Sequence, residues 1–598
     1  MGTVCSRRDI DFLLHEVLDV TSLVGRERYA MHDRVAFDAA IDLAFRLAEE
    51  RLQPHASLAD ADEPHVVDGR VVQIAETGAA LEALREAGFF AATVDEEQGG
   101  MQLPFVIGQA CAAFFKGANV STTGYLLLTR AAANLLEAHG TPDQKQRYML
   151  AMNAGRFFGT MCLSEPDVGS SLADIRTRAM PRGDGTYAIR GNKMWISGGE
   201  HELSETIVHL VLAKLPDAPP GARGISLFIV PRHRLDGDGN PGEDNNVVLA
   251  GLNHKMGYRG ITNCLLNFGE SGETIGELVG EPHRGLAYMF HMMNEARIGV
   301  GLGATMLGYG GYLASLAYAR ERRQGRPLDG RDPHAPPIAI VEHPDVRRML
   351  LQQKAYVEGG LALGLWCGLL VDEQKTAPEA SARDHARRLL DILTPIAKAW
   401  PSEFCLEANK LAIQVLGGAG YTRDFRVERL YRDNRLNPIH EGTNGIQALD
   451  LLGRKAVMEE GACFDALGAE ITAMTGQARD AGLDKEAQAV ECAWDATSAA
   501  REATVQRMAQ QGLAAALANA TTFLHGFGHV VVTALWLRQA VVASRALPSA
   551  SDGDADFYHG KVQAMRYMVR HELHLARAWL QATLTGDATV LETAAEWL

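Results

Sequence analysis

QVLGGAGYTRDFRVERLYRDNRLNPIHEGTNGIQALDLLGRK, residues 414–455, anchors the interpretation of this chain. A glycine-rich turn, Gly417 to Gly420, leads into a charged segment. A lone carboxylate, Glu441, then stands beside Gly442 and Thr443 at the mouth of a strongly apolar helical segment. By itself the GGAG string is weak evidence for a dinucleotide turn, because no strand-to-helix βαβ unit surrounds it. An isolated glutamate at a helix start is ordinarily a surface acid, so its setting must carry any further meaning.

Two upstream segments supply that setting, MCLSEPDVGSS at 161–171 and KMWISGGEHEL at 193–203. Together with QxxGGxGY and E-G-T, in this order, they resemble the acyl-CoA dehydrogenase family. Several motifs in the right order weigh far more than one. FLLHEVLD at 12–19, HLVLAKLPDAPPGARGISLFIVPR at 209–232 and HPDVRRMLLQQKAYVEGG at 343–360 resemble the long branch of that family that acts on 3-methylmercaptopropionyl-CoA, which carries an extra C-terminal helical domain. His440, where tyrosine is common, departs from the pattern.

The resemblance implies FAD as cofactor and an acyl-CoA thioester as substrate. Glu441 is then the base that removes the α-proton, and hydride passes from the β-carbon to flavin N5. A dry cleft raises a carboxylate's pKa by desolvation and brings its basicity nearer the working pH. The thioester oxygen is expected to accept from the backbone N–H at position 441 and from a ribityl hydroxyl, which stabilises the developing enolate.

By the same resemblance Met161, Leu163, Ser164, Gly169 and Ser170 line the flavin, and Ser170 also borders the pantetheine path. Trp195 flanks the flavin ring, with Ile196 and Ser197 offering backbone and hydroxyl partners. Ser171 stands where an acid is usual, and Asp167 and Val168 alter the turn. A core tryptophan is the ordinary alternative for Trp195. In MMNEARIG, residues 292–299, Asn294 and Arg297 share a helix face and match the substrate-binding pair, with Gly442 also near substrate; a structural ion pair is the alternative for Arg297. In ARERRQGRPL, residues 319–328, Arg322 is the best match for the arginine that reaches the cofactor pyrophosphate across a subunit interface. Gln414, Gly417, Gly418 and Thr443 complete the cofactor set, so a homodimer or higher homo-oligomer is expected. An electron-transferring flavoprotein is the expected electron acceptor.

Texture agrees with an α+β chain. Residues 1–158 read as an N-terminal extension and helical domain, 159–281 as a β domain, 282–460 as a helical bundle and 461–598 as an additional helical domain, interrupted by a polar loop at 546–557. Gly88 reads as a helix stop.

The 598 residues exceed a single core, and 47% hydrophobic residues suffice to fill several. A formal charge of −16 disfavours nucleic acid and anionic membrane surfaces. This weighs against a second reading, a flavin-bearing DNA-protection protein of the same fold, since such a binder needs a basic surface. An acyl-CoA oxidase stays open as a third. The 8 cysteines form no CxxC pair or zinc-ligand spacing, so no metal is expected and a reducing cytoplasm fits. The N-terminus lacks the apolar core of a signal peptide. The longest apolar run, Gly359–Val371, has 13 residues, short of the roughly 20 that cross a bilayer, so no spanning segment is expected.

Overall fold

In this computed structural model residues 4–329, 332, 334–440 and 442–598 are described, with the backbone alone for 290–294. The chain forms two compact units. One comprises Asp42–Leu103 and Ala118–Ala296, the other Met1–Ile41, Pro104–Gly117 and Arg297–Leu598.

The first unit combines helices with the β domain. A short hairpin, β1 (His65–Val67) and β2 (Arg70–Val72), interrupts the helical array that periodicity suggested there. Asp68 and Gly69 both take positive φ, +49° and +80°, which suits an Asp-Gly hairpin turn. Helix α1 (Ala75–Glu86) ends at Gly88 in the left-handed region, φ +78°, as its glycine implied. Helix α2 is Val120–His139.

The β domain contains β3 (Phe157–Cys162), β4 (Arg178–Pro181), β5 (Tyr187–Ser197), β6 (Thr206–Lys214) and β7 (Ile225–Pro231). A side hairpin of β8 (His233–Leu235) and β9 (Pro241–Asp244) follows, then β10 (Val247–Leu252), β11 (Asn263–Phe268) and β12 (Thr274–Leu278). The main order is β10-β11-β5-β12-β7-β6-β3, with β4 against β5 and β6. Strand β3 runs parallel to β6, and β5, β7 and β11 pair antiparallel with their neighbours in that order. Strands β6 and β7 are almost continuously apolar and buried, and α2 packs on β3 so closely that a Cβ at Gly159 would stand 2.5 Å from the Ala132 methyl. The N–H of Gly159 donates to Thr129 Oγ1 at 3.0 Å, which pins helix to strand.

The second unit is helical: α3 (Gly285–Glu321, from Arg297 onward), α4 (Pro344–Thr376), α5 (Ala380–Leu416), α6 (Val427–Asn434) and α7 (Asn444–Asp450). The added C-terminal region contributes α8 (Ala462–Asp480), α9 (Asp484–Gln511), α10 (Ala520–Ala546), α11 (Asp552–Tyr567) and α12 (Leu573–Thr585). Helix α11 corrects the expected loop at 546–557: Ser551 caps it by accepting from the Asp554 N–H, and Asp552 and Asp554 suit the positive end of a helix. Glycines let α10 meet α4 closely; a Cβ at Gly359 would lie 2.6 Å from Val532, and Trp536 Nε1 donates to Ala355 O at 2.8 Å. Two helical segments, 344–376 and 520–549, are long and apolar enough to cross a bilayer, yet 94% and 67% of their most apolar windows are buried in protein. No disulfide forms among the described residues; seven cysteines are buried and Cys492 is exposed.

Candidate active site

In the β domain the segment after β3 and the end of β5 are built together. Met194 N–H donates to Ser164 O at 3.0 Å, and Glu165 and Val168 exchange backbone hydrogen bonds of 2.9 and 3.0 Å that close the SEPDV turn. Beneath this turn Lys193 Nζ reaches Glu165 Oε1 at 3.0 Å and Leu163 O at 2.9 Å. Glu165 also accepts from Arg176 N, Thr177 N and Thr177 Oγ1. Burial opposes its ionisation, but Lys193 and these donors outweigh burial and hold the carboxyl below its ordinary range. For Lys193, burial wins over Glu165 and lowers the ammonium's pKa. Neither member of this pair was legible as a site residue, since charges in a strand pattern read as solvated.

This frame sets Trp195 outward. On β11, Cys264 faces Ile196 and Leu266 faces Lys193, so Met194 and Trp195 together oppose Leu265 in a bulge. Trp195 takes φ +66° and leaves its ring 58% exposed. Bulky residues rarely accept that backbone, and the exposure sets Trp195 apart from an ordinary core tryptophan. Ile196 is buried in the β core, and Met161 and Leu163 pack against a core cluster, so these three offer backbone groups only. Ser197 Oγ accepts from Asn263 Nδ2 at 3.1 Å. Gly169 and Ser170 are exposed, and a Cβ at Gly169 would meet nothing within 4 Å.

Glu441, and the side chain of Asn294, which belongs to the first unit, lie outside the described residues. Gly442 takes φ +80°, and a Cβ there would stand 2.6 Å from Gln447 Nε2. Thr443 caps α7 by accepting from Ile446 N–H. Arg297 is buried and pairs with Asp450 Oδ2 at 3.4 Å, so it struts α3 against α7.

Arg322 lies just past the end of α3 and is exposed, as are Gln414, Gly417 and Gly418. The Tyr318 ring, one turn before Arg322, meets Phe425 edge-on at 5.8 Å, which brings both segments to one end of the bundle. A Cβ at Gly417 or Gly418 would meet nothing within 4 Å, and Gly417 has φ +62°. Tyr421 beside them is 88% exposed. In the β domain, an exposed and strained tryptophan suits the aromatic wall that a flavin ring needs; in the helical unit, open glycines and Arg322, whose Nη2 donates to Gln324 Oε1 at 3.3 Å, suit the close backbone and the donors that a pyrophosphate needs. Elsewhere Asp11, His15 and Asp38 bring ligand-type atoms within 4.8 Å of one another, but Arg7 pairs with both acids and His15 with Asp38, so this is an ion-paired cluster.

Comparison with known proteins places this geometry. Residues 38–156, 160–270 and 283–456 match the N-terminal, middle and C-terminal domains of acyl-CoA dehydrogenase, and 467–594 match the acetyl-CoA dehydrogenase C-terminal-like domain. The chain is 36% identical to the 3-methylmercaptopropionyl-CoA dehydrogenase of Ruegeria pomeroyi, over 97% of this chain and 98% of that one. The chain belongs to the acyl-CoA dehydrogenase family. A broad-specificity linear acyl-CoA dehydrogenase of Mycobacterium tuberculosis is 34% identical, with 98% of each chain covered. In fold this acyl-CoA dehydrogenase is similar to Caenorhabditis elegans ACDH-11 in complex with C11-CoA, with a TM-score of 0.78 at 18% identity over 98% and 94% of the two chains. It is an FAD-dependent enzyme.

Proposed function

We propose that this acyl-CoA dehydrogenase introduces a trans-α,β double bond into a short-to-medium straight acyl-CoA, or one bearing a 3-methylmercaptopropionyl chain, with Glu441 as the α-proton base. The observation that carries the reading is Trp195: a fold tolerates a large ring in a left-handed bulge, facing outward, where a ligand surface is to be built. Ser164 and Ser197 border that surface, and Gly169 and Ser170 leave room for a close approach. Gly442 and Thr443 hold the start of α7, so the loop that bears Glu441 has fixed ends. Glu441 takes the proton, and its backbone N–H steadies the thioester oxygen as charge develops there. FAD supplies the acceptor for the hydride that leaves the β-carbon.

Several finer assignments belong to the same proposal. Asn294, Arg297 and Gly442 border the substrate, Arg297 through its grip on α7. Arg322, Gln414, Gly417 and Gly418 meet the cofactor of a neighbouring subunit, and exposed Tyr421 and Phe425 give that end of the bundle an apolar surface suited to a homodimer. Electrons leave to an electron-transferring flavoprotein, and the enzyme serves fatty acid metabolism in the cytoplasm. The relatives' names, one a thioether substrate and one a broad linear range, support a tunnel that accepts both. A thioether sulfur replaces one methylene, and a methylene is worth only ~1–3 kcal/mol in such a pocket.

The test is Glu441→Gln, which keeps shape and cannot take a proton. It should retain FAD and lose substrate-dependent bleaching; normal bleaching refutes the base. A kcat/KM panel over butanoyl-, pentanoyl-, octanoyl-, hexadecanoyl- and 3-methylmercaptopropionyl-CoA should change gradually, and strict use of hexadecanoyl-CoA refutes the substrate range. Turnover with an electron-transferring flavoprotein, against peroxide release, separates dehydrogenase from oxidase.

A further inference from the structure

The chain passes from the bundle to the added C-terminal region through three consecutive left-handed residues. Glu459 has φ +50° and ψ +42°, Glu460 φ +57° and ψ +21°, and Gly461 φ +96° and ψ +4°. L-residues visit this region singly, usually as glycine or as an asparagine or aspartate whose short side chain bonds its own backbone. Two glutamates in succession have no such compensation. At Gly461 glycine is needed for space as well, since a Cβ there would overlap the Arg501 guanidinium.

A strained turn persists only where its surroundings over-determine it. Two straps do so here. Arg501 of α9 crosses the turn from inside: its Nε donates to Ala456 O at 2.7 Å, before the turn, and its guanidinium carbon lies 4.9 Å from the centre of the Phe464 ring, in the first turn of α8. Glu459 is the outer strap. Its carboxylate meets Arg387 at 2.8 Å and Arg388 at 3.1 Å, both on α5. The Ala462 N–H donates to Glu459 O, so the residue that carries the clamp also starts α8.

The outer strap is built to let go. The side chains of Glu459, Arg387 and Arg388 are 35%, 34% and 38% exposed, so salt screens their attraction. Nor do the arginines depend on Glu459. Arg387 also pairs with Asp384 at 2.9 Å and Asp391 at 3.1 Å, and Arg388 with Asp384 at 3.1 Å. Release of Glu459 therefore leaves no unpaired cation, while it frees two backbone residues from the left-handed region. The neighbouring polar contact between α5 and α8, His385 Nε2 with Glu470 Oε1 at 2.9 Å, is half-exposed too.

We propose that residues 459–461 are a strained hinge and that the Glu459 clamp on Arg387 and Arg388 is its latch. Closed, the latch holds the start of α8 on α5. Weakened by salt, it lets the start of α8 lift from the bundle, while α10 stays docked on α4 through Trp536 and Ala355.

The experiment is hydrogen–deuterium exchange of the holoenzyme at about 0.01 M and 1 M salt, followed in peptides that cover 456–470, with 355–371 of α4 as the internal reference. Exchange from the native state reports local opening. Wild-type 456–470 should exchange faster at high salt, and the α4 reference should not change. Glu459→Gln should exchange at low salt as fast as wild type does at high salt, and lose the salt response. Glu460→Gly removes one left-handed penalty and leaves the Glu459 clamp untouched. That gain, less the freedom glycine has once the turn opens, should slow exchange about 2- to 10-fold at either salt. A salt response that persists in Glu459→Gln overturns the latch, and a Glu460→Gly enzyme that exchanges at the wild-type rate or faster overturns the hinge. Should Glu459→Gln not fold, Arg388→Gln takes its place: it removes one of the two cations, and an unchanged rate at low salt overturns the latch.

Discussion

Glu165 and Lys193 form a buried ion pair of 3.0 Å that joins the turn after β3 to the bulged end of β5. Leu163 O accepts a second Lys193 hydrogen, and Thr177 and the Arg176 N–H donate to the Glu165 carboxylate. The segment with Ser164 and the strand with Trp195 therefore move as one piece.

Removal of one partner leaves an uncompensated buried charge, which costs about 3–5 kcal/mol. Lys193→Met should lower the stability of the β domain by that order and reduce the FAD content of purified enzyme. Glu165→Gln should cost a similar amount: its oxygen still accepts from Thr177, but the Lys193 ammonium is left without its carboxylate and the amide N–H faces the Arg176 N–H. Urea unfolding and the flavin absorbance ratio check both, and a Lys193→Met enzyme of normal stability would dismiss the pair as scaffold.

Trp195 makes an opposite prediction. Its left-handed backbone costs of order 1–3 kcal/mol, and its exposed ring recovers little of that from packing. Trp195→Gly should thus unfold at the same temperature or higher, while FAD binds more weakly. A loss of more than about 2 kcal/mol on this change would show that the ring is a packing element.

How much was readable beforehand depends on the range of the interaction. Ser164, Trp195 and the Gly417–Gly418 turn sit in contiguous motifs, and helical periodicity over 285–321 and 344–376 reports local backbone preference, so segment and class were legible. Strands of three residues around Asp68–Gly69 are too short for alternation to register. Ser551 alone turns an apparently polar loop into a helix start. The pairing of Lys193 with Glu165, or of Lys398 with Asn444, spans 28 and 46 residues, and nothing local distinguishes a buried lysine from a solvated one. Arg297 shows the same limit: helix spacing gave its face, and only the fold supplied Asp450.

Acid should loosen the β domain. Burial holds His201 and His209 near a pKa of about 3, while burial raises Glu200 to about 7 despite Arg232 at 2.8 Å. A histidine with a depressed folded pKa gives stability that is present above its unfolded value of 6.5 and is lost as pH falls toward 3. Glu200, with a raised folded pKa, gives stability below 4.5 that is lost as pH rises through 7. Between 6.5 and 4.5 unfolding therefore takes up two histidine protons and releases one from Glu200. These three groups alone give a net uptake of one proton, so they lower stability by ~1.4 kcal/mol per pH unit of acidification, and His233, which burial also depresses, adds in the same direction. His209→Gln should remove one proton from that slope; an unchanged slope in urea titrations at pH 6.5, 5.5 and 4.5 contradicts the assignment.

The C-terminal region is tied to the bundle by charge as well as by apolar faces. Lys561 of α11 has no exposed surface; it bonds Asp9 in the N-terminal segment, Glu358 Oε2 of α4 at 2.8 Å and Gln539 Oε1 of α10 at 3.1 Å. Tyr309 of α3 donates to the other Asp9 oxygen at 3.0 Å. Burial raises the Asp9 pKa against the pull of Lys561, whereas Lys354 and Lys561 hold Glu358 below its ordinary range against burial. Removal of residues 462–598 would leave two buried acids with Lys354 alone and strip α10 from the glycine face of α4, so the truncated chain should aggregate before its chemistry can be measured. Lys561→Met isolates the charge. It should lower stability by about 3–5 kcal/mol, while the folded fraction turns over acyl-CoA at the normal rate, because Lys561 touches none of the proposed site residues. The double variant Asp9→Asn with Lys561→Met should be less damaged than the sum of the single changes, since each removes the other's penalty. Additive losses in that cycle, or a soluble, active and normally assembled truncation, would make the C-terminal region an independent module.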